Sequence, residues 1–559
     1  MSSYVKCDDI KDIVPVPEPG KKSFGDFYLE AIDKFPSSFL VDGTSHEKLH
    51  FSDLAARIRY FSSNVLEYGY NKGDVICLMS KNCSNFVIAL VGCSLSHVTV
   101  SPANPAYTGT ELLYQLEVSD SKAIIIQNSL LPSLEAALST AKSEGKNLQL
   151  GEIFVLDISS ETPTSIVGVG VVPFSKLTEK PPGKWREPES VLDPKNDMWL
   201  LPFSSGTTGL PKGVSLTHYN MIANVWQLIQ YKSLFDLSER STMIGVLPLY
   251  HIYGLYIYSL CCPMKGANVV LLPEFQPVSF LSAIHKYRAT HVYIVPPLAL
   301  FLTKDPRVKQ YDLTNIQDVL CAAAPLALAT ASELRDSLRD WGAKDAIVRQ
   351  GWGMTELSPL GSVGRLDETD SEKLLASIGD PVALTEFKIV DLNTNEVVDL
   401  GREGEICVRG PQVMKEYFKN EEATRITIDS DGWLHTGDIA KIHNSQILIT
   451  DRLKELIKTK GFQVAPAELE GILLTHPAVQ DCCVFGRPHD SLGEAPSACV
   501  VLKPGGGASR LPSEQELKAF VGQKVAPYKQ LAGGVTFVDQ VPKTASGKIL
   551  RRVLRARFT

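Results

Sequence analysis

The chain has 559 residues, of which 44% are apolar and 21% charged, and its formal net charge is −7 at pH 7. This length predicts more than one domain with an ample apolar core, and the composition is ordinary for a soluble globular protein. This net negative charge gives no general reason to expect a nucleic-acid-binding protein.

The N-terminus contains no apolar core of signal-peptide length. The longest apolar stretches, near residues 86–100 and 252–264, are shorter than the ~20 residues that a membrane span needs. The ending RARFT differs from the peroxisomal S-K-L signal. We therefore expect a cytoplasmic protein without a transmembrane helix, with a peroxisomal location left open. The adjacent pairs Cys261–Cys262 and Cys482–Cys483 lie in apolar runs, which indicates buried thiols in a reducing compartment.

In chain order, helical spacing of apolar residues first predicts a helix over residues 51–69. Residues 159–197 are rich in Pro, Ser, Thr and Glu, which predicts a surface segment. Alternation of strands and helices over most of the first 440 residues predicts an α/β architecture with covered sheets. Short continuous apolar runs predict buried parallel strands at 122–127, 151–157, 267–273 and 291–297.

The pattern changes near Asp451, where a strand ends, a cluster of cations follows and a helix begins at "APAELEG". The cations alone are equally typical of a solvated helix face, but Gly461 and Pro466 within the cluster favour a shaped loop. The last hundred or so residues have their own alternation and predict a small α+β domain. We therefore expect an N-terminal domain over residues 1–450 and a small mobile C-terminal domain over residues 451–559.

The stretch "SSGTTGLPKGV", Ser204–Val214, has the composition of a phosphate-binding loop. It fails the Walker A pattern, because Gly206 is followed five residues later by Pro211, and Lys212 is followed by Gly213. Its glycines let backbone N–H groups approach an anion, and Lys212 supplies a point charge. An apolar run before it and a helical pattern after it predict a strand–loop–helix setting, where anions bind. A Gly/Ser-rich surface turn is the alternative.

Seven further strings follow the loop along the chain: PLYHIYGL (248–255), AAAPL (322–326), QGWGMTE (350–356), GEICVRG (404–410), GWLHTGD (432–438), DRLKELIKTKGFQVAPAELE (451–470) and PKTASGKILRR (542–552). Together with the loop, and in the same order, these strings resemble those of the adenylate-forming superfamily. That superfamily includes acyl-CoA synthetases, 4-coumarate–CoA ligases, beetle luciferases and peptide-synthetase adenylation domains. "GEICVRG" and "KGFQVAPAELE" are most similar to the branch of 4-coumarate–CoA ligases and luciferases.

The resemblance implies that a carboxylate attacks the α-phosphorus of ATP, with Mg²⁺ and lysines offsetting the repulsion between the two anions. It implies that Glu356 ligates Mg²⁺, an oxygen-preferring cation, that Thr355 contacts the α-phosphate, and that Asp438 accepts from the ribose hydroxyls. Taken singly, Glu356 could be a solvated carboxylate and Asp438 a turn residue. The residues implied to bind ATP or AMP are Ser204, Ser205, Gly206, Thr207, Thr208, Lys212, Gln350, Gly351, Trp352, Asp438, Arg452 and Lys454.

The C-terminal lysines are implied to serve two half-reactions. Lys548 is implied to drive adenylation, although alone it could be one more basic residue of its segment. Lys458, with Gln463, is implied to serve the step in which a thiol displaces AMP. Lys460, Gly461 and Gln463 are implied to border the coenzyme A channel. The small domain would then rotate between two positions about a hinge near Asp451.

His251 is a lone histidine among apolar residues, which is usually a core residue, but it matches a family position near the acyl carboxylate. We expect it to be catalytic, together with Lys548, Lys458 and Thr355. The other histidines have no metal-ligand pattern and are expected at the surface. The acyl pocket is expected to be formed by Ile252, Tyr253, Ala322, Ala323 and Val363.

Departures from the family pattern concern the substrate. Trp352 replaces a usual Tyr but can still stack on adenine. Cys321 and Ala322 replace a usual Ser-Gly, and a methyl group at Ala322 would narrow or reroute the slot for a flat ring. Glu274 stands where several plant ligases carry a lysine near the coenzyme A phosphates, so an acid there would weaken that contact.

The preferred hypothesis is an ATP-dependent acid–thiol ligase that joins an aromatic or fatty carboxylate to coenzyme A, with ATP, Mg²⁺ and coenzyme A as cofactors or co-substrates. The alternative is an adenylating enzyme that passes the acyl group elsewhere, as luciferases and carrier-protein ligases do. We expect a carrier domain to be absent from the chain. A non-enzymatic binding protein is a third alternative, but it predicts losses at Lys548, Glu356 or Asp438, and all three are present.

Overall fold

The computed structural model describes residues 4–6, 14–146, 148–204, 210–443, 446–453, 455–459, 462–489, 492–503, 511–525, 527–544 and 549–558. Elements are numbered in chain order. The helices are α1 (Phe24–Ile32), α2 (Phe51–Glu67), α3 (Ser84–Leu95), α4 (Gly109–Ser119), α5 (Leu131–Ser143), α6 (Ser175–Thr178), α7 (His218–Ile229), α8 (Ile252–Gly254), α9 (Cys262–Met264), α10 (Pro277–Tyr287), α11 (Pro296–Lys304), α12 (Leu328–Asp340), α13 (Ser371–Ala376), α14 (Glu421–Thr427), α15 (Pro466–Leu474), α16 (Glu514–Gly522) and α17 (Arg551–Phe558).

The first sheet is largely parallel and covered on both faces. Along β4, Ile76 and Leu78 join the apolar cluster that contains α2 and α3, whereas Cys77 and Met79 join a second cluster with α4 and α5. Its spatial order is β11-β12-β10-β5-β4-β6-β7-β9-β8, with β22 paired to β12. Its strands are β4 (Val75–Met79), β5 (Thr99–Ala103), β6 (Ser121–Ile126), β7 (Glu152–Val155), β8 (Ser165–Ile166), β9 (Val169–Pro173), β10 (Met198–Leu200), β11 (Phe203–Ser204), β12 (Lys212–Thr217) and β22 (Glu416–Tyr417).

The second sheet shares the larger of these apolar clusters with the first. Its order is β19-β18-β17-β16-β15-β13-β14-β2-β3, and the pairs from β17 to β2 are parallel. Its strands are β2 (Phe39–Asp42), β3 (Lys48–His50), β13 (Thr242–Gly245), β14 (Asn268–Leu271), β15 (His291–Ile294), β16 (Asp318–Cys321), β17 (Ile347–Gly353), β18 (Leu360–Val363) and β19 (Asp380–Pro381).

Two smaller sheets follow. The third, in the order β1-β20-β21-β23-β24, is antiparallel. The fourth belongs to the C-terminal region, in the order β26-β25-β28-β27 with β29 paired to β28, and has its own apolar cluster with α15 and α16. Their strands are β1 (Tyr4–Lys6), β20 (Glu386–Val390), β21 (Gly404–Arg409), β23 (Leu434–His443), β24 (Gln446–Arg452), β25 (Ile457–Thr459), β26 (Phe462–Val464), β27 (Val479–His489), β28 (Gly493–Leu502) and β29 (Val535–Phe537).

The structure confirms the α/β class. The four predicted parallel strands are observed as β6, β7, β14 and β15, and the predicted first helix as α2. The cysteine pairs 261–262 and 482–483 are buried and free. Across the described ranges, none of the helices combines the length and the hydropathy that crossing a bilayer requires. The boundary at residues 450/451 stays a prediction.

The predicted strand–loop–helix setting of the phosphate loop is wrong. The residues after it form β12, which pairs antiparallel with β11 through Phe203 and Gly213, so the flanks of the loop are two strands of a hairpin. Val214 and Leu216 are fully buried in β12. The helix α7 begins only at His218, where the Thr217 side chain caps it in a capping box with Asn220.

Candidate active site

A cavity of about 980 Å³ opens where the first three sheets meet. Residues that line it follow the carboxyl ends of parallel strands: Asn104 follows β5, Ala322 follows β16 and Met354 follows β17. Such edges are where open α/β sheets bind ligands. The cavity walls include Ser204 and Lys212 from the two flanks of the phosphate loop.

One wall of the cavity is a chain of polar contacts centred on Asp438. Trp352 Nε1 donates to Asp438 Oδ2 at 2.8 Å, and Arg452 Nε lies 3.2 Å from Asp438 Oδ1. Asp438 and Arg452 are cross-strand neighbours on β23 and β24, which explains their pairing. Trp352 stands edge-on against Phe387, which holds its indole ring in the wall. A nearly buried carboxylate with a flat aromatic neighbour is suited to a ribose and a purine base.

A second polar group lies at the start of the short turn after β17. Glu356 is 3% exposed, and its Oε1 accepts a hydrogen bond from the Tyr417 hydroxyl at 2.9 Å. Lys212 Nζ lies 4.8 Å from the centroid of the same Tyr417 ring. Burial and the neighbouring Glu356 raise the pKa of Tyr417, so its hydroxyl stays a donor. The tyrosine thus joins the expected magnesium ligand to the expected phosphate lysine.

The apolar part of the cavity lies between the second sheet and the segment after His251. A π-helix, Leu255–Cys261, follows α8 and presents Tyr256 and Ile257 to the cavity. π-Helices are rare in proteins, and those that occur often lie at functional sites. Ala323 has φ of +72°, an uncommon conformation for a non-glycine residue. All five expected acyl-pocket residues line this cavity: Ile252, Tyr253, Ala322, Ala323 and Val363.

His251 and Thr355, both expected to be catalytic, also line the cavity. His251 is the residue before α8, and its Nδ1 accepts from the Tyr253 backbone N–H at 3.4 Å. That contact orients the ring, because it requires the unprotonated nitrogen to face Tyr253.

Comparison of the chain with known proteins agrees with this fold and this site. The family model for the AMP-binding enzyme matches residues 30–418, and that for the AMP-binding enzyme C-terminal domain matches residues 468–548. The chain belongs to the AMP-binding enzyme family. It is 39% identical to 4-coumarate–CoA ligase 1 of Petroselinum crispum over 528 residues, covering 93% of this chain and 91% of the relative.

A second relative and a solved structure support the same family assignment. A 4-coumarate–CoA ligase of Pinus taeda is 37% identical over 523 residues, with 93% of this chain and 91% of the relative covered. The solved structure of o-succinylbenzoate–CoA synthetase from Bacillus subtilis, in complex with its acyl-adenylate intermediate, has a TM-score of 0.76 at 26% identity. That match covers 95% of this chain and 97% of the other.

Two residues expected in the site of this AMP-binding enzyme do not line the cavity. Gln350 points away from it: its Nε2 donates to the Leu375 carbonyl, and its Oε1 accepts from the Leu326 backbone N–H at 3.4 Å. The next three residues of β17, Gly351, Trp352 and Gly353, do line the cavity. Lys458 is exposed on β25, outside the cavity wall.

Several expected residues lie outside the described residues. They are Ser205, Gly206, Thr207, Thr208, Lys454, Lys460, Gly461 and Lys548, together with the side chain of Gln463. Thr544, four residues before Lys548, lines the cavity.

No sequence pattern pointed to Tyr417, and the expected surface position was wrong for two histidines. His218 and His291 are 0% and 4% exposed, so the expectation of surface positions is wrong for them. His435 lines the cavity, and its Nδ1 lies 2.8 Å from Glu405 Oε2. The hydrogen bond and charge of Glu405 raise the pKa of His435, although burial opposes the rise.

The other carboxylate oxygen of Glu405, Oε1, accepts a hydrogen bond from the Gly437 backbone N–H at 2.8 Å. Glu405, Cys407 and His435 have their ligand atoms within 4.8 Å of one another, a spacing compatible with a metal ion. Because Glu405 is already hydrogen-bonded to both sides of the turn before Asp438, its geometry fits a positioning role for that turn.

Of the departures from the family pattern, Cys321 lies outside the cavity lining, whereas Ala322 lines it. Glu274 does not stand as an isolated charge. Its Oε2 lies 2.8 Å from Lys81 Nζ, and this ion pair lowers the pKa of Glu274.

Proposed function

We propose that the chain is an ATP-dependent carboxylate–CoA ligase acting on an aromatic, hydroxycinnamate-like, or fatty acid. The acid's carboxylate attacks the α-phosphorus of ATP and pyrophosphate leaves. The coenzyme A thiol then attacks the acyl carbon of the adenylate, forming the thioester and releasing AMP. The observation that carries the proposal is one cavity with a polar wall at Asp438, a buried Glu356 and an apolar pocket beyond His251.

Mg²⁺ is the metal proposed for the ATP complex. Glu356 fits it, because a buried carboxylate oxygen is a ligand type that Mg²⁺ accepts. Tyr417 occupies Oε1, and among the described residues Oε2 has no hydrogen bond, so it can face a cation. Mg²⁺ bound there would offset phosphate charge as the acid approaches.

The chain's own residues have separate proposed roles. Asp438 binds the ribose hydroxyls, Trp352 stacks on adenine, and Lys212 contacts the departing phosphates. His251 lies beside the acyl carboxylate. Thr355, at the turn after β17, contacts the α-phosphate.

The two half-reactions are proposed to use different faces of the C-terminal domain. Thr544 lines the cavity while Lys458 is exposed outside it, which supports an arrangement of the adenylation type. Rotation about the region of Asp451 would bring Lys458 to the cavity for thioester formation.

The decisive test is pyrophosphate release from ATP and Mg²⁺ with hydroxycinnamates, benzoates and medium-to-long fatty acids, each with and without coenzyme A. We expect multiple turnovers with one acid class only when coenzyme A is present. Release that stops after about one equivalent despite coenzyme A would favour transfer to another acceptor. The variant Lys548→Ala should lose the first step, whereas Lys458→Ala should keep a single turnover and lose the second.

A further inference from the structure

Helix α4 is fastened to the first sheet beside the phosphate loop. Leu112, Leu113 and Leu116 pack into the second apolar cluster, on one face of that sheet. Gln115 is 1% exposed, and its Nε2 donates to Ser101 Oγ of β5 at 2.9 Å. Buried side chains therefore fix the backbone of α4, and a polar side chain carried by this helix can act as a rigid support.

Two adjacent residues of α4 connect it to the two flanks of the phosphate loop. On the first flank, Ser101 Oγ, which Gln115 holds, donates to the Leu201 carbonyl at 2.9 Å. On the second flank, the Tyr114 hydroxyl donates to the Pro211 carbonyl at 2.9 Å. A carbonyl oxygen can only accept, so the tyrosine must keep its proton. Burial raises the pKa of Tyr114, which favours the protonated hydroxyl.

The Tyr114 hydroxyl acts at the start of β12. The Pro211 carbonyl belongs to the peptide unit that leads into Lys212, the first residue of this strand. Lys212 pairs with Ser204 in the hairpin and lines the cavity. Strand ends open more readily than strand centres, so a hydrogen bond from a rigid helix restricts this one. The Tyr114 ring also stands edge-on to Phe203 of β11, with the ring centroids 6.5 Å apart.

We propose that Tyr114 is a positioning residue for adenylation: by holding the Pro211–Lys212 peptide, it places Lys212 for the β- and γ-phosphates of ATP and for the pyrophosphate that leaves. The inference rests on the proposed function, since that function assigns Lys212 to these phosphates. Tyr114 is not among the residues that line the cavity, so it acts on the phosphates through the second flank of the loop. The adenosine end of ATP, proposed to bind at Asp438, does not depend on this contact.

The first experiment removes the hydroxyl alone, in Tyr114→Phe. Calorimetry on the full chain with Mg²⁺ measures Kd for three ligands: ATP, inorganic pyrophosphate and AMP. We expect Kd for ATP and for pyrophosphate to rise by about three- to tenfold, the range that the loss of one hydrogen bond produces. Kd for AMP should be unchanged, because AMP has neither the β- nor the γ-phosphate.

Tyr287→Phe is the matched control. The Tyr287 hydroxyl also shares one hydrogen bond with a side chain, His46 Nδ1 at 3.0 Å, and Tyr287 is not among the residues that line the cavity. Like Tyr114, it is half-buried. This variant should keep all three Kd values.

The outcomes separate the inference from the proposed function. An unchanged Kd for pyrophosphate in Tyr114→Phe would overturn the inference and leave the ligase function intact. An equal rise in Kd for AMP would indicate a general structural role and would also overturn it. An unmodified protein that binds neither ATP nor pyrophosphate would overturn the proposed function, and the inference with it.

The second experiment is a double-mutant cycle that tests whether Tyr114 acts through Lys212. Lys212→Met removes the charge and keeps most of the side-chain length. In that background, adding Tyr114→Phe should leave Kd for pyrophosphate unchanged, because the residue being positioned no longer contacts the phosphates. The same rise in both backgrounds would show that Tyr114 does not act through Lys212, which would contradict the inference.

Discussion

At the scale of single residues, the carboxylates proposed to bind Mg²⁺ and ribose depend on partners distant in the chain. Glu356 is bonded to Tyr417, 61 residues later, and Asp438 to Trp352, 86 residues earlier. Each partner is a donor on a rigid aromatic ring, so it orients the carboxylate without adding charge. Groups that support a metal ligand in this way commonly alter metal affinity by about 10- to 100-fold when removed.

The variant Tyr417→Phe tests this support. We expect the Mg²⁺ concentration for half-maximal pyrophosphate release to rise by about tenfold, because Glu356 loses the donor that fixes it. The free energy of unfolding should fall by about 1 kcal/mol, as for a lost buried hydrogen bond. Tyr60→Phe, on α2 and outside the cavity lining, is the control. An unchanged Mg²⁺ requirement would show that Tyr417 does not position the metal ligand.

At the scale of elements, β24 and α15 meet at a buried acidic cluster. Asp451, 4% exposed, accepts from the backbone N–H groups of Arg452 at 2.6 Å and of Ala467, in the first turn of α15, at 3.0 Å. Nearby, Arg551 is bonded to both carboxylate oxygens of Glu470, at 2.8 and 2.7 Å. Burial raises the pKa of Asp451 to about 7.

The raised pKa predicts a pH dependence. An unfolded aspartate has a pKa of about 3.9, so the folded state binds the proton more tightly between that pH and about 7. Stability linked to Asp451 is therefore full below pH ~4 and is lost as pH rises through about 7, by up to about 4 kcal/mol. Melting temperatures from pH 5 to 8 should decrease less steeply in Asp451→Asn than in the unmodified protein.

The exposed Asp539→Asn is the matched control and should keep the unmodified slope. Asp451→Asn also removes one acceptor for a backbone N–H, so its stability should be lower at acidic pH. Parallel slopes for the Asp451 variant and the unmodified protein would contradict the assignment.

At the scale of the whole molecule, the cavity depends on how the sheets join. Lys81 follows β4 of the first sheet, and Glu274 follows β14 of the second, so their ion pair links two sheets. Both side chains are about half exposed, and such pairs contribute about 0–1 kcal/mol to stability. The consequence of Glu274 is therefore expected in ligand binding rather than in folding.

The variant Glu274→Gln should release Lys81 for an anionic ligand and remove a repelling acid. We expect KM for coenzyme A to fall by about two- to fivefold, in the range of a surface charge interaction, while KM for ATP is unchanged. Steady-state kinetics at low ionic strength provide the measurement. Glu239→Gln, an exposed acid elsewhere, should leave both constants unchanged. A higher KM for coenzyme A would indicate that the ion pair itself supports that site.

Much of the fold and part of the candidate site could be predicted from local patterns. Continuous apolar runs predicted β6, β7, β14 and β15, because strands covered on both faces need apolar side chains at every position. The prediction was wrong at β12, because the helical spacing of α7 was extended back over residues 212–217, which form a strand. Motif strings selected Asp438, Glu356 and the residues around His251, since the chemistry requires those side chains at those places.

Only the tertiary structure decided which distant residues meet. Arg349 and Asp318 are 31 residues apart, and they pair because β16 and β17 are neighbours in a fixed register. Tyr417 reaches Glu356 because β22 pairs with β12 rather than with its neighbours in sequence. Strand order and register are set by the packing of the whole core, which no local period encodes. The sequence by itself therefore determined the family, the reaction chemistry and the buried parallel strands β6, β7, β14 and β15, whereas the order and register of the sheets that form the cavity were decided by the tertiary structure.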